Sequence, residues 1–116
     1  PDPYPERPVR FSIANCDTNK YCIKNLARNE LQALYKRLGY FEQMTWGQAV
    51  QMPHDKGISI DKKEGVVTQL LSQRLSGLTY GHLRIPSTDS NTRVFIGRDR
   101  DLAKILLIDR TGELQH

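Results

Sequence analysis

Residues 81–116 read GHLRIPSTDSNTRVFIGRDRDLAKILLIDRTGELQH, and this stretch decides the fold. Together with Tyr80 it contains three strand-like runs separated by turn residues. The first is Tyr80 to Ile85, closed by Pro86 and the cluster Ser87-Thr88-Asp89-Ser90-Asn91, whose side chains bond their own backbone in turns. The second is Thr92 to Arg98, and the third is Ala103 to Asp109, ending at Thr111-Gly112. Successive strand side chains point to opposite faces. Leu83 and Ile85 therefore share one face of the first run, and Tyr80, His82 and Arg84 the other. In the second run Val94 and Ile96 share a face, and Arg93 and Phe95 the opposite one. Ile105-Leu106-Leu107-Ile108 is apolar at every position, as in a strand that is central or covered on both faces. A three-stranded meander follows. One of its faces is apolar and needs a cover, and the other carries Tyr80, His82, Arg84, Arg93 and Phe95. That second face reads either as an ordinary exposed strand face or as a surface for an anionic ligand, with arginines for phosphates and aromatic rings for bases.

Working back toward the N-terminus, the helical periodicity supplies the cover. Asn15, Asp17, Thr18 and Asn19 form a helix-start cluster, and the spacing predicts a helix from about Lys20 to Leu38, with Gly39 as its stop. Its apolar stripe is Ile23, Leu26, Ala27, Leu31, Leu34, Tyr35 and Leu38. Lys24, Arg28, Lys36 and Arg37 lie off that stripe and read most simply as a solvated basic face. Thr45-x-x-Gln48 has the form of a capping box for a short helix, Trp46 to Met52, with Trp46 as a core anchor and Pro53 as the stop. Residues 54–63 read as a loop in which Ile58 and Ile60 can make a short extended piece. Val66, Val67, Leu70 and Leu71 predict another helix from Glu64 to Leu75. Upstream, Arg10 to Ala14 alternates as a first strand. Residues 1–9, with Pro1, Pro3, Pro5 and Pro8, are expected as a flexible arm before a single domain, 10–116.

A chain of 116 residues is one domain by size and can bury a core without staples. No apolar run approaches the roughly 18–20 residues of a membrane span. The polar, proline-rich start is unlike a secretory signal, and the absence of an initial Met leaves room for residues upstream. The net charge of +4 favours acidic partners such as nucleic acid or an acidic protein segment. Cys16 and Cys22 have no usual zinc spacing and read as thiols in a reducing cytoplasm. With no phosphate-cradling glycine loop and no metal cluster, no cofactor or metal is expected.

The order strand, helix, helix, three meandering strands resembles that of the RelE/ParE toxin superfamily. The local likeness lies in Arg74-Leu75-Ser76-Gly77 leading into Gly81-His82-Leu83-Arg84-Ile85, in Thr92-Arg93-Val94-Phe95, and in Ile105-Leu106-Leu107-Ile108-Asp109-Arg110. The resemblance implies an α+β fold in which a small antiparallel sheet, the N-terminal strand plus the meander, carries helices on one face. It also implies a toxin of a toxin–antitoxin pair that cuts ribosome-bound messenger RNA by attack of a ribose 2′-hydroxyl on phosphate. Such chemistry needs a base, an acid and cations around the phosphorane, and a guanidinium suits the last role. By the resemblance, Arg93 is the phosphate clamp, with Arg84, Arg74 and Arg110 as further cations and His82 or the terminal His116 as acid or base. Tyr80, Phe95, Arg98 and Arg100 would contact RNA. The partners would be an antitoxin protein, messenger RNA and the ribosome. Two other readings of the same fold are a ParE-type gyrase inhibitor and an RNA-binding module without chemistry.

Overall fold

The computed structural model describes residues 4–53, 56–60, 78–86, 92–112 and 114. The fold is α+β. Its strands are β1 (Arg10–Ser12), β2 (Ile58–Ile60), β3 (Thr79–Arg84), β4 (Arg93–Asp99) and β5 (Leu102–Asp109), and its helices are α1 (Arg28–Glu42) and α2 (Trp46–Gln51). They form one five-stranded sheet in the order β1-β5-β4-β3-β2. The meander β3-β4-β5 is antiparallel as expected, and β2 adds antiparallel to β3. The N-terminal strand corrects the expectation of a wholly antiparallel sheet, because β1 pairs with β5 in parallel, Phe11 opposite Ala103. The two helices between β1 and the meander supply the crossover that a parallel pair needs.

The all-apolar β5 lies inside the sheet, between β1 and β4, and from Ile105 to Asp109 it is no more than 3% exposed. A bulge between Phe95 and Ile96 leaves Leu106 outside the register: Phe95 opposes Leu107, and Ile96 opposes Ile105. The bulge breaks the simple alternation. Ile105 and Ile108 join the core under the helices, with Leu83, Ile85, Val94 and Ile96, while Leu106 and Leu107 pack together on the other face with Tyr80, Phe95 and Leu114. An uninterrupted apolar run is what such a strand requires.

The first helix begins later than its sequence signals suggest. Asp17 Oδ2 accepts the Tyr21 N–H at 2.9 Å, and Asn25 Nδ2 donates to the Asn19 and Lys20 carbonyls. The polar cluster thus closes local turns instead of opening a helix. The backbone of this segment is drawn to the edge of β5, where Asp17 N–H donates to Leu106 C=O and Ile108 N–H to Tyr21 C=O. The helix starts at Arg28, after Ala27, whose side chain has no acceptor. Glu30 compensates by reaching back to accept the Ala27 N–H at 2.6 Å. Nor does Gly39 stop α1, which runs on to Glu42 and thereby brings Phe41 into the core at 0% exposed. Tyr35, expected on the apolar stripe, is 74% exposed.

The second helix follows its sequence closely. Thr45 Oγ1 accepts the Gln48 N–H, Gln48 Oε1 accepts the Thr45 N–H, and Trp46 is fully buried. Residues 5–9, expected as part of a loose arm, are held against its start. Prolines lack a donor but keep an acceptor, and Gly47 N–H bonds Pro5 C=O while Trp46 N–H bonds Arg7 C=O. Val9 is 1% exposed. The helix expected over Glu64–Leu75 lies outside the described residues.

Two expectations follow. Glu30 sits below the ordinary carboxylate range because the Ala27 N–H bonds its charged form, assisted by Arg110. A carboxyl depressed in the folded state stabilises above its unfolded pKa and loses that contribution as pH falls through the folded value. Glu30→Ala should therefore cost about 1 kcal/mol in urea unfolding near neutral pH and less at acid pH, once the pH has fallen through the folded value. An equal cost at both would show that the carboxylate charge is irrelevant. In the β4–β5 turn, Asp99 pairs with Leu102 and Arg100 has φ of 60°. Arg100→Gly should raise stability by roughly 1 kcal/mol by relieving this left-handed residue, measured as a higher melting temperature.

Candidate anion-binding site

Three strand ends meet at one end of the sheet: Arg84 at the close of β3, Arg93 at the start of β4 and Asp109 at the close of β5. In the register Arg84 lies directly opposite Arg93, and Arg93 directly opposite Asp109. Side chains so paired stand on the same face with Cβ atoms about 5 Å apart. The face is the one away from α1, because the intervening residues Leu83, Ile85 and Val94 pack in the helix-covered core. Bonds beyond the ladder lock the ends: Ile85 N–H donates to Thr92 C=O, and Thr92 Oγ1–H donates to Arg110 C=O at 3.1 Å.

Like charges directly opposed on a sheet repel, and the register sets the carboxylate of Asp109 in the same row, opposite Arg93. Asp109 is 1% exposed and also accepts the Leu114 N–H at 2.9 Å, a bond made possible by Gly112, whose φ of 78° turns the chain back over the sheet. Arg93 is 9% exposed. Arg84 is half-buried, and its Nε is shielded from solvent with no hydrogen-bond acceptor among the described residues. An anion with acceptor oxygens would satisfy the unmet Arg84 Nε–H.

The rest of this face is packed rather than open. Tyr80 and Phe95 are each 4% exposed and stack on one another with centroids 6.0 Å apart, and His82 is 5% exposed with its ring 5.9 Å from that of Phe95. The aromatics expected to meet bases thus have their ring faces occupied in packing. Leu114 and Tyr21 pack onto the same cluster. Alternation indicates which residues share a face, but not whether other chain segments cover it.

The other candidate residues are dispersed. Arg110 bends toward the helix layer, with its Nε 2.8 and 2.9 Å from the two carboxylate oxygens of Glu30. Arg98 belongs to the opposite face and the opposite end of the sheet. Its guanidinium lies 3.9 Å from the Trp46 ring centroid, and its Nε–H donates to Arg100 C=O. This position braces the β4–β5 turn on α2, aided by Trp46 Nε1–H to Asp101 C=O at 2.8 Å. Arg100 is exposed in that turn. Arg74 and His116 lie outside the described residues.

One arginine near the site reads in sequence as part of a solvated face. Arg37, from α1, donates through Nε–H to the Arg84 C=O at 3.1 Å and through its terminal nitrogen to the Lys56 C=O. Its guanidinium lies 5.1 Å from the Tyr40 ring centroid and 4.7 Å from that of Phe41. Burial pulls it below the ordinary arginine range, an effect partly opposed by Tyr40, and it remains a cation at neutral pH. Its position just off the apolar stripe of α1 is the only signal the sequence offers for this role.

No family model, no curated protein and no solved structure matches this chain. Among the described residues there is no helix long and apolar enough to cross a membrane, and no group of three or more His, Cys, Asp or Glu able to hold a metal ion.

Proposed function

We propose that the chain is a RelE-type toxin acting in the cytoplasm as an RNA endonuclease on ribosome-bound messenger RNA, with the Arg84–Arg93 pair as its phosphate clamp. The observation that carries this reading is the direct cross-strand opposition of the two arginines, with the Nε of Arg84 buried and lacking an acceptor among the described residues. A phosphodiester oxygen would accept from this buried Arg84 Nε–H. The antiparallel meander β3-β4-β5 that follows the two helices is compatible with the resemblance, and the net charge of +4 favours RNA and an acidic antitoxin segment.

In this reaction the ribose 2′-oxygen attacks the adjacent phosphorus, the bond from phosphorus to the 5′-oxygen breaks, and the products are a 2′,3′-cyclic phosphate and a 5′-hydroxyl. One proton leaves the 2′-hydroxyl and one reaches the 5′-oxygen. The arginine pair stabilises the added charge on the pentacoordinate phosphorus, the point at which preorganised donors contribute most. Arg84 is the more accessible of the two and makes the direct contact, while Arg93, held between Arg84 and Asp109, sets its direction and the local potential. His82, which alternation places on their face, and the terminal His116 are the imidazole candidates for proton transfer.

The test exploits the unequal burial. Arg84→Ala removes a half-buried cation facing another cation, so the melting temperature should hold or rise. Cleavage of ribosome-bound messenger RNA, mapped by primer extension, should fall by about 10²-fold or more. Unchanged cleavage in this variant would remove the clamp. Intact transcripts with DNA damage in cells expressing the wild-type chain would assign it to gyrase inhibition instead.

A further inference from the structure

On the outer flank of α1, Asn29, Gln32, Lys36, Arg37 and Tyr40 follow one another at helical spacing and, with Pro86 beyond β3, line a pocket of about 400 Å³. The volume lies within the range of small-ligand sites, roughly 300–1,000 Å³. Its chemistry is unusual for a solvated helix face. None of the described lining residues is acidic, two are cationic and two are carboxamides. The Tyr40 ring borders it at 44% exposed. Arg37 forms one wall already oriented, because the carbonyls of Arg84 and Lys56 hold its guanidinium in place. Those acceptors are neutral, and no carboxylate bonds this guanidinium among the described residues, so its charge is left for a ligand to neutralise.

We propose that this pocket receives one nucleotide, with its phosphate at Lys36 and Arg37 and its base between the Tyr40 ring and the amides of Asn29 and Gln32. A phosphate alone would use the cations but not the ring or the amides. An acidic peptide would use the cations and the amides, but it has no flat π-face to stack on the Tyr40 ring unless it carries an aromatic residue. A base presents both donors and acceptors along its edge, which the two carboxamides complement, and a π-face that stacks on tyrosine. The nucleotide can be part of a single-stranded RNA or free in solution. The RNA source rests on the ribonuclease reading, since Arg37 links the pocket directly to the Arg84 end of β3. The preference for a nucleotide does not.

The experiment is titration of the full chain with adenosine monophosphate, hexa-adenylate RNA and hexaglutamate, followed by calorimetry. Lys36→Glu and Gln32→Ala serve as variants, because both residues are exposed and neither holds the fold. Adenosine monophosphate is expected to bind saturably at millimolar concentration, and Lys36→Glu to weaken it about tenfold, as the loss of a charge-assisted hydrogen bond does. Gln32→Ala should weaken it less. Hexa-adenylate binding about tenfold tighter, with the same sensitivity to Lys36→Glu, assigns the pocket to an RNA strand, and equal affinity assigns it to the free nucleotide. The inference is overturned if neither adenylate binds, if both bind the two variants as they bind the wild type, or if hexaglutamate displaces the mononucleotide and binds more tightly. Arg84→Ala separates this inference from the cleavage reading, since it should abolish cutting while leaving the affinity for adenosine monophosphate intact.

Discussion

A strand that is apolar at every position cannot lie on a two-layer sheet with one wet face. For β5 this means cover above, below and along both edges. The helix layer covers one face through Leu34, Phe41 and Trp46. The other is closed by Tyr80, Phe95 and the returning C-terminal Leu114. Along its edges run β4 on one side and, on the other, β1 continued by the backbone of residues 17–21. The late start of α1 and the left-handed Gly112 follow from the same demand, because each frees a piece of chain to lie against β5.

The guanidinium groups show how position decides what a cation does. Arg98 lies on an indole, Arg110 meets a carboxylate, and Arg37 is fixed by carbonyls beneath two aromatic rings. Each of these is a brace between layers, and each makes use of the planar fork that lysine lacks. Arg84 and Arg93 are set opposite one another by the sheet register. Like charges directly opposed on a sheet destabilise it, so the pair is a local cost that the rest of the strand ladder offsets.

What could be read in the sequence depended on whether a signal is local. The capping box at Thr45 and Gln48, the three meander strands and the central character of β5 were legible because adjacent residues encode them. The start of α1 was not, since Asp17 and Asn25 satisfy turns as well as helix ends and the choice fell to the edge of a strand more than 80 residues away. The parallel pairing of β1 was hidden for the same reason. The Arg84–Arg93 register was implicit in alternation and in the hairpin. The burial of Tyr80, His82 and Phe95 was not, because alternation counts faces without saying what lies over them. The bulge at Phe95 and Ile96 is the subtlest case: four apolar residues in a row are compatible with either phase, and only the ladder shows which two go each way.

The sheet tapers. Its outermost strands, β1 and β2, are three residues each, whereas the inner ones run to six, seven and eight. Among the described residues, an incoming chain seeking to extend the ladder would find only three strand residues to template on in each of these outer strands. Short outer strands of this kind are one way in which a sheet limits edge-to-edge pairing with further chains.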